Sequence, residues 1–361
     1  MSLEARLAAM IAAGGSISIA RYMDLCLHDR DFGYYATRPR LGADGDFITA
    51  PHVSQMVGEL LGLWACEVFR SLGRPRSVRL VELGPGDGVM MLDVLRSICA
   101  AAPEFARACE LVLLETSAPL RQTQERSLRA TGRAISWIET IEDLPAGAPV
   151  IILANEFLDC LPIRQAVRTP GGWLERRVGL NEAERLAFTL SPPQPIPEID
   201  LPAAAPVGTI AEWSPDLEAF ASALGRLLAG TPGAALFLDY GCAGPENSVD
   251  TLQALRGHGK EDPLANPGEA DLTAHVRFGP FLAAARAAGA VTPPLLTQAV
   301  FLRALGVETR AALLAQARPD LAEVIGRQLH RLIAPEEMGE LFQAACIHSP
   351  NLRPPAFAGA S

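Results

Sequence analysis

The chain has 361 residues, 49% of them hydrophobic, and carries 31 Lys+Arg against 41 Asp+Glu for a formal charge of −10. That length suggests about two domains of ~150 residues, and the acidic balance excludes the strongly basic overall footprint of a nucleic-acid binder. No apolar run reaches the ~18 residues of a membrane span, and the N-terminal stretch, acidic at Glu4 and broken at Gly14 and Gly15, lacks the form of a signal peptide, so a cytoplasmic protein is expected.

Residues 3–13 and 18–28 read as two short helices. The stretch "FGYYATRPRLGADGDFITAPHVSQ" follows as a long, Gly- and Pro-rich loop of the kind that is often functional. Apolar residues at helical spacing run from 53 to 72. Four apolar strands then alternate with helical patterns: "VRLVEL" (78–83), "ELVLLE" (110–115), "AISWIE" (134–139) and "PVIILANEFLD" (149–159). A hairpin around Pro170, Gly171 and Gly172 and a Pro-rich connector interrupt the order. A helix should begin after Ser214, with Pro215 at its first position. The fifth strand is "AALFLDYG" (234–241). Apolar strands alternating with helices predict a mostly parallel, doubly wound sheet, whose ligands bind at the carboxyl ends of the strands.

Seven cysteines, Cys26, Cys66, Cys99, Cys109, Cys160, Cys242 and Cys346, include no CxxC pair, and an odd count favours reduced thiols. The six histidines form no HxH or HExxH pattern, so no metal site is expected.

The stretch "LVELGPGDGVMMLDVLR" holds the clearest signal. Gly84, Gly86 and Gly88 lie between a strand and a helix, where backbone N–H groups and the helix dipole face a ligand. A dinucleotide fits poorly, because valine stands at position 89 where a third fingerprint glycine would fall and the next acid, Glu115, is 31 residues beyond Gly84. S-adenosyl-L-methionine (SAM) fits better: Glu82 is placed for the ammonium of its methionine tail, and Glu115, ending the second strand, for its ribose hydroxyls. A tight strand–helix turn with no ligand remains the plain alternative.

Four stretches together resemble the MidA-like family of SAM-dependent methyltransferases: "DFGYYATRPRLGADGDFITAPHVSQMVGELLG", "LVELGPGDG", "ANEFLDCLPIRQ" and "DTLQALRGHGKEDPLANPGEADLTAHV". The resemblance spans roughly residues 15–350. It implies an α/β fold: a Rossmann-like SAM-dependent methyltransferase domain on a mostly parallel, doubly wound sheet, with a second, smaller lobe from insertions. The expected division places N-terminal helices and a covering loop in 1–75, the methyltransferase domain in 76–163 and 230–350, the insertion lobe in 164–229 and a disordered tail in 351–361. The family's mitochondrial members are arginine methyltransferases that assist assembly of respiratory complex I. The implied reaction is therefore methylation of a protein arginine, the implied partner a complex I subunit or its bacterial counterpart, without membrane insertion. Three positions depart from the family pattern. Asp87 stands where the glycine loop usually has arginine, His52 where an acid usually follows "AP", and Arg277 where aspartate usually follows "AHV".

Methyl transfer from a sulfonium is an in-line displacement that asks mainly for alignment and electrostatics. An arginine acceptor needs carboxylates that fix the guanidinium plane, draw its charge to one side and take a proton. Glu156 is the first candidate, followed by Asp159, with Asn155 beside them at the end of the fourth strand. Asp239, ending the fifth strand, and His275, as a proton shuttle, complete the catalytic set; Glu269 and Asp271 are nearby candidates, and Asp271 alternatively caps a helix from Leu272. In the early loop, Tyr34 and Tyr35 are aromatic candidates for covering the adenosine or the sulfonium. Gly33, Gly45, Asp46, Phe47 and Pro51 belong to the same stretch, and Thr49, His52 and Ser54 are assigned to the methionine tail by family analogy. Two other functions stay open: a SAM-binding assembly factor with little turnover, and a small-molecule methyltransferase.

Overall fold

The structure, a computed structural model, describes residues 2–37, 49–196, 199, 201–244 and 250–357. Candidates Gly45, Asp46 and Phe47 lie outside the described residues. The chain begins with α1 (Leu3–Gly14), β1 (Ile17–Ser18) and α2 (Ile19–His28), the helices capped by the hydroxyls of Ser2 and Ser18. Two single turns, α3 (Tyr34–Thr37) and α4 (Ala50–Val53), precede α5 (Gln55–Ser71). Next come β2 (Val78–Leu83), α6 (Val89–Ala101), α7 (Pro103–Ala108), β3 (Cys109–Leu114), α8 (Ala118–Leu128), β4 (Ile135–Ile138) and β5 (Val150–Asn155). The strands β6 (Arg164–Thr169), β7 (Gly172–Leu180), β8 (Leu186–Leu190) and β9 (Ile210–Trp213) lead to α9 (Pro215–Gly230) and β10 (Gly233–Cys242). The rest comprises β11 (Gln253–Arg256), β12 (Gly259–Glu261), β13 (Asp271–Thr273), β14 (Val276–Arg277), α10 (Phe278–Ala287), β15 (Leu296–Thr297), α11 (Gln298–Ala304), α12 (Val307–Ala317), α13 (Ala322–Ile333) and β16 (Phe342–His348).

The central sheet runs β15-β16-β10-β5-β2-β3-β4, with β14 beside β10. The pairs from β4 to β10 are parallel, and β16 enters antiparallel. This is the expected doubly wound α/β fold. The strands β2 and β5 are buried along their whole length, as strands covered on both faces must be. Alternate residues serve opposite layers. Val78 and Leu80 pack with α5 and α6, while Val81 and Leu83 pack with α9 and α10. The chain winds outward from β2 through β3 to β4 and, on the other side, from β5 to β10, which opens a crevice at the carboxyl ends of β2 and β5.

A second core joins the N-terminal helices to two small sheets. The strands β1, β7, β6 and β9 pair in that order with β8 on β7, and β12-β11-β13 form the other sheet. Leu7, Ile19 and Tyr22 pack there with Val178, Ala254 and Leu272, and the Tyr22 hydroxyl donates to the Pro263 carbonyl at 2.7 Å.

Three expectations are corrected. The helix α9 was expected in the insertion lobe, but its apolar face (Leu217, Ala221, Leu224) packs on the central sheet with α10. Asp271 starts a strand paired with β11, so it caps no helix; the next helix begins at Phe278. The stretch 351–357 is ordered against the main core through buried Leu352 and Phe357, and the Trp64 indole donates to the Pro355 carbonyl. Among the described residues the seven cysteines form no disulfide with one another. No helix among the described residues is long and apolar enough to cross a membrane.

Candidate functional site

The chain leaves β2 through Gly84, Gly86 and Gly88 at φ of 61°, 55° and 85°, a left-handed path that residues with a Cβ avoid. A Cβ on Gly84 would come 3.0 Å from the Phe157 ring. Gly88 is the N-cap of α6, and Asp87 Oδ1 accepts from the Val89 N–H at 3.1 Å. The start of α6 thus faces the crevice with its positive dipole end.

The crevice is a cleft lined on the sheet side by Glu82, Gly84, Gly86, Asp87, Glu115, Asn155 and Glu156, and from the N-terminal segment by His28, Tyr35, Thr49 and His52. Two of its polar atoms, Glu82 Oε2 and Asn155 Oδ1, are buried without a hydrogen-bond partner among the described residues. Native structures rarely leave such atoms unpaired, so these two acceptor oxygens fit a ligand that brings N–H or O–H groups. Burial, followed by the neighbouring charge of Asp87, pushes the Glu82 carboxyl up to about 8.

Glu115 sits at the end of β3. Its Oε1 accepts from the Ser117 N–H at 2.8 Å and its Oε2 from the Gln124 amide at 3.0 Å. Burial raises this carboxyl against the pull of those bonds. Each oxygen retains capacity for another donor, which suits a ribose diol. Gln124 also donates to the Gly86 carbonyl at 2.9 Å and accepts from the Trp137 indole at 2.9 Å. Fully buried, it couples the glycine loop to the acid. Sequence reasoning missed it, because a glutamine on an amphipathic helix carries no signal of such a role.

At the end of β5, Glu156 lines the cleft with φ 50°, an uncommon backbone conformation for a residue with a side chain. Its Oε1 accepts from the Ala50 N–H at 3.1 Å and the Asn155 amide at 3.0 Å. Both donors reach the same oxygen. Burial first, then the charge of Asp159, pushes this carboxyl up to about 8.

Asp159, Asp239 and His275 do not line this cleft. Asp239 Oδ2 accepts from the N–H groups of Phe157, Leu158 and Asp159, and its Oδ1 from Tyr240 N–H. It holds the turn after β5. Asp159 accepts from the Tyr240 hydroxyl at 2.6 Å, and burial pushes its carboxyl up to about 6. His275 packs edge-on against Tyr240 and, with Asp159 and Arg277, lines a separate small cavity. Arg277 donates to the Glu212 carbonyl. Its departure from the family pattern therefore concerns the second lobe. Glu269 lies away from the cleft, with Asn266 and Pro267.

In the N-terminal segment, Tyr34 is buried in the second core, whereas Tyr35 lines the cleft and donates to Asp271 Oδ1 at 2.8 Å. Ser54 is buried and accepts from the Met56 N–H as the cap of α5. His52 has both ring nitrogens engaged, Nδ1 with Thr49 Oγ1 at 2.7 Å and Nε2 with Asp87 Oδ2 at 3.0 Å. Neither is left for a methionine tail.

A family model described as S-adenosyl-L-methionine-dependent methyltransferase matches residues 60–294. The chain is 34% identical to the protein arginine methyltransferase NDUFAF7, mitochondrial, of Danio rerio, across 95% of this chain and 86% of that one. It is 32% identical to the human protein of that name, across 92% of this chain and 80% of that one. A crystal structure from Burkholderia thailandensis bound to S-adenosyl-homocysteine superposes with a TM-score of 0.87 at 30% identity, covering 99% of this chain and 95% of that one. The Danio rerio and human proteins are named as mitochondrial, and this overturns the expectation of a cytoplasmic protein.

Proposed function

The chain belongs to the S-adenosyl-L-methionine-dependent methyltransferase family, and we propose that it methylates an arginine side chain of a protein, a subunit of respiratory complex I or its bacterial counterpart. When bound, SAM supplies an electrophilic methyl group on a sulfonium. Glu82 and Asn155 present unpaired oxygens to its ammonium end, the glycine loop lets its backbone approach, and Glu115 takes the ribose hydroxyls.

The observation that carries the arginine reading is Glu156. It is a half-buried carboxylate on the cleft wall, with one oxygen held by two donors and its backbone in a left-handed conformation. Guanidinium lone pairs are delocalised, so the acceptor needs its plane fixed and its charge drawn to one side. A carboxylate pinned at one oxygen offers the other for that task. Its raised affinity for protons suits it to take the one that leaves the methylated nitrogen. The names of the relatives that match over most of their length support the same acceptor.

The test compares wild type with Glu156→Ala, using SAM affinity by calorimetry and S-adenosyl-homocysteine formation on arginine-containing protein acceptors. The expected result is affinity within about threefold and turnover lower by about 100-fold. Turnover within a few fold of wild type would remove Glu156 from the reaction. Activity on protein-free metabolite pools would favour a small-molecule acceptor.

A further inference from the structure

We infer that His52 and Asp87 act as one clasp, fastening α4 to the glycine loop and thereby setting how tightly the cofactor is held. They are positioning residues, since their hydrogen-bonding atoms are spent on one another and on their neighbours.

The turn α4 has four residues, Ala50–Val53, too few to hold a helix without outside support. Buried Ala50 and Val53 seat it in the main core, and two polar contacts tie it to opposite sides of the crevice. The Ala50 N–H donates to Glu156 at the end of β5, and His52 Nε2 meets Asp87 Oδ2 at 3.0 Å in the loop after β2. Each partner is itself braced: His52 by Thr49 Oγ1, Asp87 by the Val89 N–H. Thr49, Pro51, His52 and Asp87 all line the cofactor cleft, so the clasp forms part of the wall that the ligand meets. The side chains are 15% and 32% exposed, shielded enough for the pair to count for more than an open surface ion pair.

The sequence marks His52 and Asp87 as separate departures from the family pattern, one replacing an acid and the other an arginine. The 3.0 Å contact joins them. The pair also bears on Glu82, a buried acid on the same cleft wall. The Asp87 charge disfavours ionisation of Glu82.

The inference rests on SAM occupying this cleft, and the experiment separates the two. Calorimetric titration with SAM is run on wild type, His52→Ala, Asp87→Ala, the double variant, and the polarity-reversed His52→Asp/Asp87→Arg, with circular dichroism confirming the fold of each. Each single variant is expected to bind about tenfold more weakly, the double no more weakly than the worse single, and the reversed pair within about threefold of wild type. His52→Gln, which keeps a donor for Asp87, should lose less than His52→Ala and serves if the alanine variant does not fold. Wild-type affinity in His52→Ala, losses that multiply in the double variant, or a reversed pair as weak as the singles would each overturn the clasp. No binding by folded wild type would instead strike the placement of SAM.

Discussion

Two acids stand near the carboxyl edge of the central sheet, Glu82 on β2 and Asp239 on β10. They are 2% and 1% exposed, so burial does not tell them apart. Their partners do. Asp239 accepts from four backbone N–H groups and closes the turn that carries Glu156. Among the described residues Glu82 Oε2 has no partner, in a cleft wall where Asn155 Oδ1 is also unpaired. A buried carboxylate whose capacity is used up by its own backbone supports the fold. One left unsatisfied on a cleft wall, at a cost of about 1–3 kcal/mol or more, is available to a ligand that enters the cleft.

The largest effect that tests this contrast is on stability. Asp239→Ala strips the acceptor from four N–H groups and should cost about 3 kcal/mol or more in urea unfolding. The folded fraction should keep its SAM affinity. Wild-type stability with lost methyl transfer would move Asp239 into the class of Glu82. Glu82→Gln should do the reverse. It preserves shape and removes a costly buried carboxyl, so stability should hold or rise while SAM affinity falls by about tenfold or more. Gly86→Val, which forbids the left-handed φ of 55° and the close backbone approach, should also abolish binding.

The same contrast has a pH signature. In the ligand-free protein the Glu82 carboxyl is pushed up to about 8 from an ordinary 4.5, so it holds a proton at neutral pH. That proton must leave when an ammonium group arrives. SAM affinity should rise with pH up to about 8, and titrations in buffers of different protonation enthalpy should register proton release that Glu82→Gln lacks. For stability the sign is opposite. The folded state binds a proton that the unfolded state has lost between about 4.5 and 8, so ligand-free stability should fall as pH rises through that window. Glu156, also pushed up to about 8, adds to the fall. Glu82→Gln should flatten it in part.

The sequence makes the frame of the molecule legible because its signals are local. Apolar runs mark β2, β3, β4, β5 and β10, glycines mark the loop, and Ser214-Pro215 marks the start of α9. Glu82, Glu115, Asn155 and Glu156 are found on the cleft wall for the same reason: each is one of the last two residues of a strand or the first beyond it. What stays hidden depends on contacts distant in sequence. His52 and Asp87 are 35 residues apart. The hub at Gln124 depends on where Trp137 and Gly86 lie. The residues around β11–β13 join the N-terminal core through Tyr22 and Leu272, which no periodicity predicts. Asp239 reads like a functional acid in sequence because saturation by neighbouring N–H groups leaves no mark on the residue type.

Ser54 and Thr49 repeat the contrast on a smaller scale, five positions apart in one stretch. The Ser54 hydroxyl is buried and spent on the Met56 N–H. The Thr49 hydroxyl lies on the cleft wall and braces His52. Removing an N-cap hydroxyl costs about 1 kcal/mol, so Ser54→Ala should lower the thermal midpoint while SAM affinity stays within about twofold. Thr49→Ala leaves the cap of α5 intact and loosens His52, so it should shift the midpoint little and weaken SAM binding by a few fold. A tenfold loss of affinity in Ser54→Ala at an unchanged midpoint would mean that the hydroxyl turns from its cap toward the cofactor. Partner saturation would then be a poor guide to which polar groups serve the ligand.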